Sequence, residues 1–368
     1  MTASSKKIKV LVVDDSALVR QVASAILSQE PDLQVTVAVD PLAAMDKMAR
    51  ERPDVILLDL EMPRMHGLTF LHKIMSEDPI PVVVCSGVAA SGGATAIAAL
   101  EQGAVAIITK PKLGVRDFLH ESALTLIDTI IGAAHARLCS RHPRVEPSNT
   151  AEAVVPMRQY KQNTARLERV VVVGASIGGP EVISEILQQL TPECPGIVIV
   201  QHMPEAFTGA YSRRLNTICR IEVKEAEQGD RVQRGRALIA PGNRHILLDR
   251  GARCYTTGLL DGPLVNRHRP SVDVLFRSAA QTAGPDALGI ILTGMGSDGA
   301  QALLEMKNAG AVTLAQDEAT SIVFGMPREA ITLGAVDKVA SPSQIVAAIS
   351  TWSNADTARA AAVRIRGH

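Results

Sequence analysis

The chain has 368 residues, of which 38 are Lys or Arg and 38 are Asp or Glu, so its formal net charge is zero. This balance argues against a protein dedicated to binding nucleic acid or a membrane surface. Apolar residues form 46% of the sequence, which is enough for sizeable cores, and the length suggests about two domains.

Cysteine placement and hydropathy predict a cytoplasmic protein. The five cysteines are scattered and form no Cys-x-x-Cys pair, which is typical of reduced thiols. The apolar run at residues 10–13 is too short for a signal peptide. No stretch approaches the roughly 18 apolar residues of a transmembrane helix, so we expect no insertion into a membrane.

Short apolar runs alternate with helical patterns through the N-terminal part of the chain. The predicted strands are residues 8–13, 35–39, 55–58, 81–85 and 104–108. The predicted helices are residues 17–29, 42–50, 68–76, 95–102 and about 115–137. Such βα alternation predicts a parallel sheet covered on both faces. Five strands suit the flavodoxin-like order 2-1-3-4-5.

Polar residues follow four of these predicted strands, at the carboxyl edge where ligands of such sheets bind. They are Asp14 and Asp15, Asp59, Ser86 and Lys110. Three clustered carboxylates suit a hard divalent cation with oxygen ligands, above all Mg²⁺. A lysine and a hydroxyl beside them suit a phosphoryl group, and an aspartate can form an aspartyl phosphate. Helix caps and turns also use Asp and Ser, but five such residues at one edge favour a binding site.

The motifs around these residues resemble those of a response-regulator receiver domain over residues 6–137. They are Val12-Val13-Asp14-Asp15-Ser16, Leu57-Leu58-Asp59-Leu60-Glu61-Met62-Pro63 with Gly67, Val84-Cys85-Ser86 and Thr109-Lys110-Pro111. The resemblance implies that Asp59 accepts phosphate from a histidine kinase and binds Mg²⁺ together with Asp14 and Asp15. It also implies that Ser86 is the switch hydroxyl and that Lys110 contacts the phosphate.

Residues 138–167 lose this periodicity and predict an exposed linker. A strand predicted at residues 170–173 then runs into a glycine-rich turn with Ser176 at its centre, followed by a helix predicted at residues 181–190. The turn fits Gly-x-Ser-x-Gly, which exposes a nucleophilic hydroxyl at a strand end. It lacks the spacing of a dinucleotide site and the Lys-Ser/Thr of a P-loop. A glycine turn with an incidental serine is the alternative.

The C-terminal part is again α/β, with predicted strands at residues 197–200, 237–239, 288–292 and 311–314. Ser176, His202 and Asp298 each follow a separate apolar strand. If those strands are parallel neighbours, the three side chains converge as a nucleophile, its base and the group that orients the base. The order Ser, His, Asp differs from the Ser, Asp/Glu, His order of α/β-hydrolases. His245 and His268 are competing candidates for the base.

Four motifs together resemble the chemotaxis protein-glutamate methylesterase (CheB) family over residues 168–352, leaving residues 353–368 as a tail. They are Gly174-Ala175-Ser176-Ile177-Gly178-Gly179-Pro180, Gln201-His202-Met203-Pro204, Ala240-Pro241-Gly242-Asn243 and Thr293-Gly294-Met295-Gly296-Ser297-Asp298-Gly299. The resemblance implies a doubly wound α/β esterase domain whose triad is Ser176, His202 and Asp298. The backbone N–H groups of Ile177 and Met295 would form the oxyanion hole.

The resemblance also implies the substrates and partners. These are glutamate γ-methyl esters, and selected glutamines, on the cytoplasmic helices of chemoreceptors, together with a chemotaxis histidine kinase. Ester hydrolysis would need no cofactor. The family usually has Thr at the position of Ile177, which predicts altered activity or substrate choice. Two other functions stay open: a DNA-binding transcriptional regulator and a signalling scaffold without activity.

Overall fold

The structure is a computed structural model that describes residues 7–62, 65–87, 90–110, 116–136, 150–156 and 168–352. The chain divides into two compact units, Met1–Pro143 and Arg144–His368. The sequence places the first domain boundary near residue 137, and that boundary stays a prediction. The predicted tail at residues 353–368 lies outside the described residues.

The first unit is a five-stranded parallel sheet in the predicted order, β2-β1-β3-β4-β5. Its strands are β1 Ile8–Val13, β2 Leu33–Ala38, β3 Val55–Asp59, β4 Val82–Ser86 and β5 Ala106–Thr109. Its helices are α1 Ala17–Leu27, α2 Pro41–Arg50, α3 Gly67–Glu77, α4 Ala90–Glu101 and α5 Arg116–Ala134. The flavodoxin-like prediction is confirmed.

Side-chain caps fix where two helices of this unit begin. Ser16 Oγ accepts a hydrogen bond of 3.4 Å from the Val19 N–H, and α1 follows. Asp40 Oδ1 accepts one of 2.8 Å from the Ala43 N–H, and α2 follows with a proline in its first turn. These bonds satisfy backbone donors that a helix N-terminus leaves free.

The second unit contains a seven-stranded parallel sheet in the order β15-β14-β13-β6-β7-β10-β8. Its strands are β6 Val170–Ala175, β7 Gly196–Gln201, β8 Glu222–Glu225, β10 Arg236–Ile239, β13 Ala287–Ile291, β14 Val312–Gln316 and β15 Lys338–Ala340. Its helices are α6 Gly179–Gln189, α7 Glu205–Ile218, α8 Val272–Thr282, α9 Ala300–Asn308 and α10 Met326–Thr332. A further helix covers residues 342–352.

A smaller antiparallel sheet, which the sequence did not predict, accompanies this one. It pairs β11 His245–Arg250 with β12 Tyr255–Leu260, and β12 with the short strand β9 Arg231–Val232. Strands of an antiparallel sheet can face water on one side, so they lack the uninterrupted apolar runs of a buried parallel sheet.

The central strands of the parallel sheet are buried on both faces. Val170 and Val172 belong to the core that includes Leu275 and Phe276 of α8. Val173 instead lines a small apolar cavity with Ile183 of α6 and residues of the helix at 342–352. A strand covered on both sides needs apolar residues at every position, which explains the uninterrupted valine run.

One part of the predicted linker packs within the second unit. Residues 150–156, here called the linker segment, bury Ala151 and Val155 against Val265 and Val274. The Gln281 side chain donates a hydrogen bond of 2.9 Å to the backbone of the same segment, at its last residue. The prediction of an exposed linker is therefore wrong for Ala151 and Val155. The flanking residues 137–149 and 157–167 lie outside the described residues.

No helix among the described residues has the length and apolar character needed to cross a membrane.

Candidate functional site

Ser176 lies in the turn between β6 and α6 and is largely buried. Its N–H donates a 3.0 Å hydrogen bond to the Thr293 carbonyl, and its own carbonyl accepts from the Gly179 N–H. Gly178 precedes the helix with φ 76°, a left-handed conformation that glycine adopts at no steric cost. A methyl group on Gly294 would lie 2.7 Å from Ser176 Cβ, so only glycine fits there. The turn therefore holds the serine against the loop after β13.

His202 and Asp298 meet beside this turn, as the strand-end prediction requires. The strand β6 pairs in parallel with β13 on one side and with β7 on the other. The His202 N–H donates to the Ala175 carbonyl at 3.0 Å, and His202 Nε2 lies 2.9 Å from Asp298 Oδ2. His202 Nδ1 is buried and has no hydrogen-bond partner. Because Nε2 is engaged by a carboxylate, Nδ1 is the nitrogen left to accept a proton.

The Asp298 carboxylate accepts five hydrogen bonds. The donors are His202 Nε2, Asn266 Nδ2, Ser271 Oγ and the backbone N–H groups of Val272 and Asp273. The last two belong to the first turn of α8, whose N-terminus favours a negative charge. Burial alone would raise the pKa of Asp298, but His202, His268 and Asn266 hold it well below its ordinary value. The aspartate is therefore an anion that can orient an imidazole.

The two competing histidines have other surroundings. His245 is fully buried, with Nδ1 accepting from the Ser271 N–H at 3.2 Å and Nε2 donating to the Pro263 carbonyl at 2.9 Å. Because Nδ1 accepts from a backbone N–H it carries no proton, so His245 is a neutral residue that holds a loop. Burial also lowers its pKa. His268 stacks on His202, with ring centroids 3.7 Å apart and an angle of 13° between the planes. Burial, and then the charge of His202, lower the pKa of His268.

Thr293 binds the backbone on both sides of the peptide that joins Ser176 to Ile177, and the sequence analysis assigned it no role. Its hydroxyl donates to the Ile177 carbonyl at 2.9 Å and accepts from the Val323 N–H at 2.9 Å. Its carbonyl also accepts from the Ser176 N–H, so Thr293 holds the turn that carries Ser176 from both sides. Among the described residues, no hydrogen bond engages the N–H of Ile177 or of Met295.

Gln201 is a second residue without a predicted role. Its buried side-chain amide donates to the carbonyls of Ser176 at 2.8 Å and His202 at 3.1 Å. It thereby ties the loop that carries the serine to the loop that carries the histidine. Its place at the end of β7, directly before His202, is the sequence signal that could have identified it.

The first unit brings its predicted polar residues together at the carboxyl edge of its sheet. Asp14, Asp15 and Asp59 have carboxylate oxygens within 4.8 Å of one another and could hold a metal ion. Lys110 Nζ lies 3.0 Å from Asp14 Oδ2 and 2.8 Å from Asp59 Oδ2. The three carboxylates outnumber the single lysine, so the cluster carries a net negative charge, which suits a divalent cation. Ser86 is buried, with its hydroxyl 3.5 Å from the Gly87 carbonyl.

Burial and charge shift the protonation equilibria of this cluster. Burial, and then the charge of Asp59, raise the pKa of Asp14. Burial alone would lower the pKa of Lys110, but the carboxylates of Asp59 and Asp14 raise it above its ordinary value. A methyl group on Gly67 would lie 2.4 Å from the Asp59 carbonyl, so this glycine lets α3 approach β3. The lysine is therefore a fixed cation beside Asp59.

The chain is similar to several known proteins. The CheB methylesterase catalytic domain of Thermotoga maritima, a solved structure, has 36% identity and a TM-score of 0.49, covering 50% of this chain and 98% of that chain. Protein-glutamate methylesterase/protein-glutamine glutaminase 5 of Anaeromyxobacter dehalogenans is 56% identical over 340 residues, 91% of this chain and 94% of the relative. The group 3 operon protein of the same name from Rhodopseudomonas palustris is 52% identical over 355 residues, 96% of this chain and 98% of the relative.

Two family models match separate parts of the chain. The model for the response regulator receiver domain matches residues 10–119, and the model for CheB methylesterase matches residues 171–349. The relatives are similar over nearly the whole length, so the order of the two domains is shared as well. The chain therefore belongs to the CheB methylesterase family, with a receiver domain in front of its catalytic domain.

Proposed function

We propose that this chain is a protein-glutamate methylesterase and protein-glutamine glutaminase that acts on chemoreceptors in the cytoplasm, under control of its receiver domain. Ser176 is the nucleophile, His202 the general base and Asp298 the residue that orients the base. The single observation that carries this assignment is the His202 ring, bound to Asp298 through Nε2 and left with a buried, unpartnered Nδ1.

The chemistry follows from these positions. Ser176 Oγ attacks the γ-carbonyl of the substrate glutamate and gives its proton to His202 Nδ1. The N–H groups of Ile177 and Met295 bind the oxyanion, a contribution of about 10²–10³ in turnover per donor in comparable sites. Protonated His202 then gives its proton to the methoxy oxygen, which leaves as methanol, or to the amide nitrogen of a glutamine, which leaves as ammonia. Water attacks the acyl-enzyme by the same route and releases a free carboxylate.

The receiver domain supplies the regulation. Asp59 attacks the phosphorus of a phosphohistidine on a chemotaxis histidine kinase, and the histidine nitrogen leaves. Mg²⁺, held by Asp14, Asp15 and Asp59, would offset the negative charge that gathers around the phosphoryl group. Lys110 is placed to pair with a phosphoryl oxygen, and the Ser86 hydroxyl can donate to another.

Release of methanol from methylated receptor membranes tests the esterase assignment directly. The phosphorylated protein should release methanol from these membranes and none from membranes that were never methylated. A folded, phosphorylated protein that releases no methanol would contradict the assignment and favour the scaffold alternative. A shift of genomic DNA in an electrophoretic assay would favour the transcriptional alternative.

Phosphorylation by acetyl phosphate should depend on both Asp59 and Mg²⁺. The Asp59→Asn variant loses the attacking carboxylate, and a chelator removes the cation, so we expect no labelling in either case. Asp46→Asn, which changes an exposed carboxylate of α2, should label like the wild type. Labelling that persists in Asp59→Asn would place the phosphorylation site on another residue.

A further inference from the structure

We infer that Asn266 is a positioning residue for the triad, which fixes the carboxylate of Asp298 through its side-chain amide. The inference rests on the proposed function, because it concerns how the base is held for the same reaction.

The backbone around Asn266 forms a tight two-residue turn. Val265 and His268 exchange hydrogen bonds of 3.1 and 2.9 Å, and the two residues between them have positive φ values. These values are 50° for Asn266 and 67° for Arg267, the signature of a type I′ turn. Asparagine tolerates this conformation better than most residues. The turn therefore holds the amide in a fixed place.

The amide nitrogen of Asn266 joins two buried carboxylates. It donates to Asp298 Oδ1 at 2.8 Å and to Asp273 Oδ2 at 2.6 Å. A rotated amide would turn its oxygen toward both carboxylates, so the two acceptors select the orientation that is seen. The other oxygen of Asp273 accepts from the Ala302 N–H at 2.8 Å, at the start of α9. The bridge thus anchors Asp298 to two helices.

Without the Asn266 amide, the repulsion between the buried carboxyls of Asp298 and Asp273 would cost free energy. Burial, and then the charge of Asp298, raise the pKa of Asp273 to about 7. One NH₂ group placed between the two carboxyls offsets their repulsion with two hydrogen bonds. Loss of the amide would leave both carboxyls to rearrange, and Asp298 is the one that binds His202.

The same turn also contacts the base. His268, two residues after Asn266, stacks on the His202 ring. One short turn therefore restrains both members of the acid–base pair, the carboxylate through Asn266 and the imidazole through His268. The titratable and charged groups that surround this arrangement are Asp298, Asp273, His202, His245, His268, Arg267, Arg269, Arg277 and Glu305.

The test is Asn266→Gly in the full chain, since glycine keeps the left-handed turn and removes only the amide. We expect the turnover number for methanol release to fall about 10- to 100-fold, as misplacement of a catalytic group does, with KM within about threefold. Asp298 also loses a donor, which strengthens its attraction for protonated His202. The acid limb of the pH profile should therefore move to higher pH.

The matched control is Asn243→Gly. Asn243, in the loop after β10, also has a positive φ, 62°, and its Oδ1 accepts hydrogen bonds from Arg269, but it makes no hydrogen bond to Asp298. Its turnover and acid limb should stay close to wild type. Wild-type turnover in Asn266→Gly, or a loss of turnover with an unmoved acid limb, would overturn the inference. An inactive wild-type protein would instead contradict the proposed function.

Discussion

Replacing Ser176 with Ala should lower esterase turnover by about 10⁴- to 10⁶-fold, the range seen when a serine hydrolase loses a triad member. The reason is that Ser176 supplies the hydroxyl that attacks the ester in the proposed mechanism. Hydrogen bonds with Thr293 and Gln201 hold the turn that carries Ser176, beside the histidine that would take its proton. His202→Ala should be similarly severe. Turnover is measured as methanol released from methylated receptor membranes.

Ser184→Ala is the matched control for this experiment. Ser184 lies in α6, the helix that follows the turn carrying Ser176. Its hydroxyl accepts a hydrogen bond from Gln188 at the surface. Its loss should leave turnover within about twofold, as for most surface substitutions. A Ser176→Ala protein that keeps more than about a tenth of wild-type turnover would refute the nucleophile assignment.

The convergence of the site was predictable because a simple spatial rule governs parallel sheets. Their strands end at one edge, so residues that directly follow the strands meet there. Asp14, Ser176 and His202 directly follow strands and Asp59 ends one, and the structure brings each to its predicted edge. The rule needs only the apolar runs and the residue after each run.

The residues that support the triad were not predictable by the same rule. Asn266, Ser271 and Asp273 reach Asp298 from a loop and the start of α8, where no strand end marks them. Their positions depend on how the chain returns from the antiparallel sheet, which has a weaker sequence pattern. The sequence left His245 and His268 as competing candidates for the base, and only the hydrogen bonds of His245 in the structure show that it holds a loop.

The linker segment shows how tertiary contacts override a local prediction. Residues 150–156 lack periodicity, which favours an exposed linker. The two residues Ala151 and Val155 nevertheless find an apolar patch at Val265 and Val274. Val265 immediately precedes the Asn266 turn, so this segment packs under the loop that holds Asp298. A catalytic fragment should therefore keep the segment if its activity is to represent the intact unit.

Phosphorylation should raise the esterase activity of the full chain at least about tenfold, which corresponds to a free-energy change of only about 1.4 kcal/mol. A receiver domain attached to a complete hydrolase is most simply explained as a regulator of it. A phosphoryl group adds roughly −1.5 to −2 charge beside Lys110 and offers new acceptors to Ser86. The ion pair of 2.8 Å between Lys110 and Asp59 must then rearrange. A local change of this size can shift an equilibrium between a restrained and an active state.

The comparison that tests this regulation is between the full chain and a fragment that starts at Arg144, the first residue of the second unit. If the receiver restrains the enzyme, the fragment should be more active than the unphosphorylated full chain. Acetyl phosphate with Mg²⁺ should activate the full chain and leave both the fragment and full-length Asp59→Asn unchanged. A folded fragment that is no faster than the unphosphorylated full chain would refute inhibition by the receiver. The receiver would then act by direct activation of the catalytic unit or by recruiting it to its receptor.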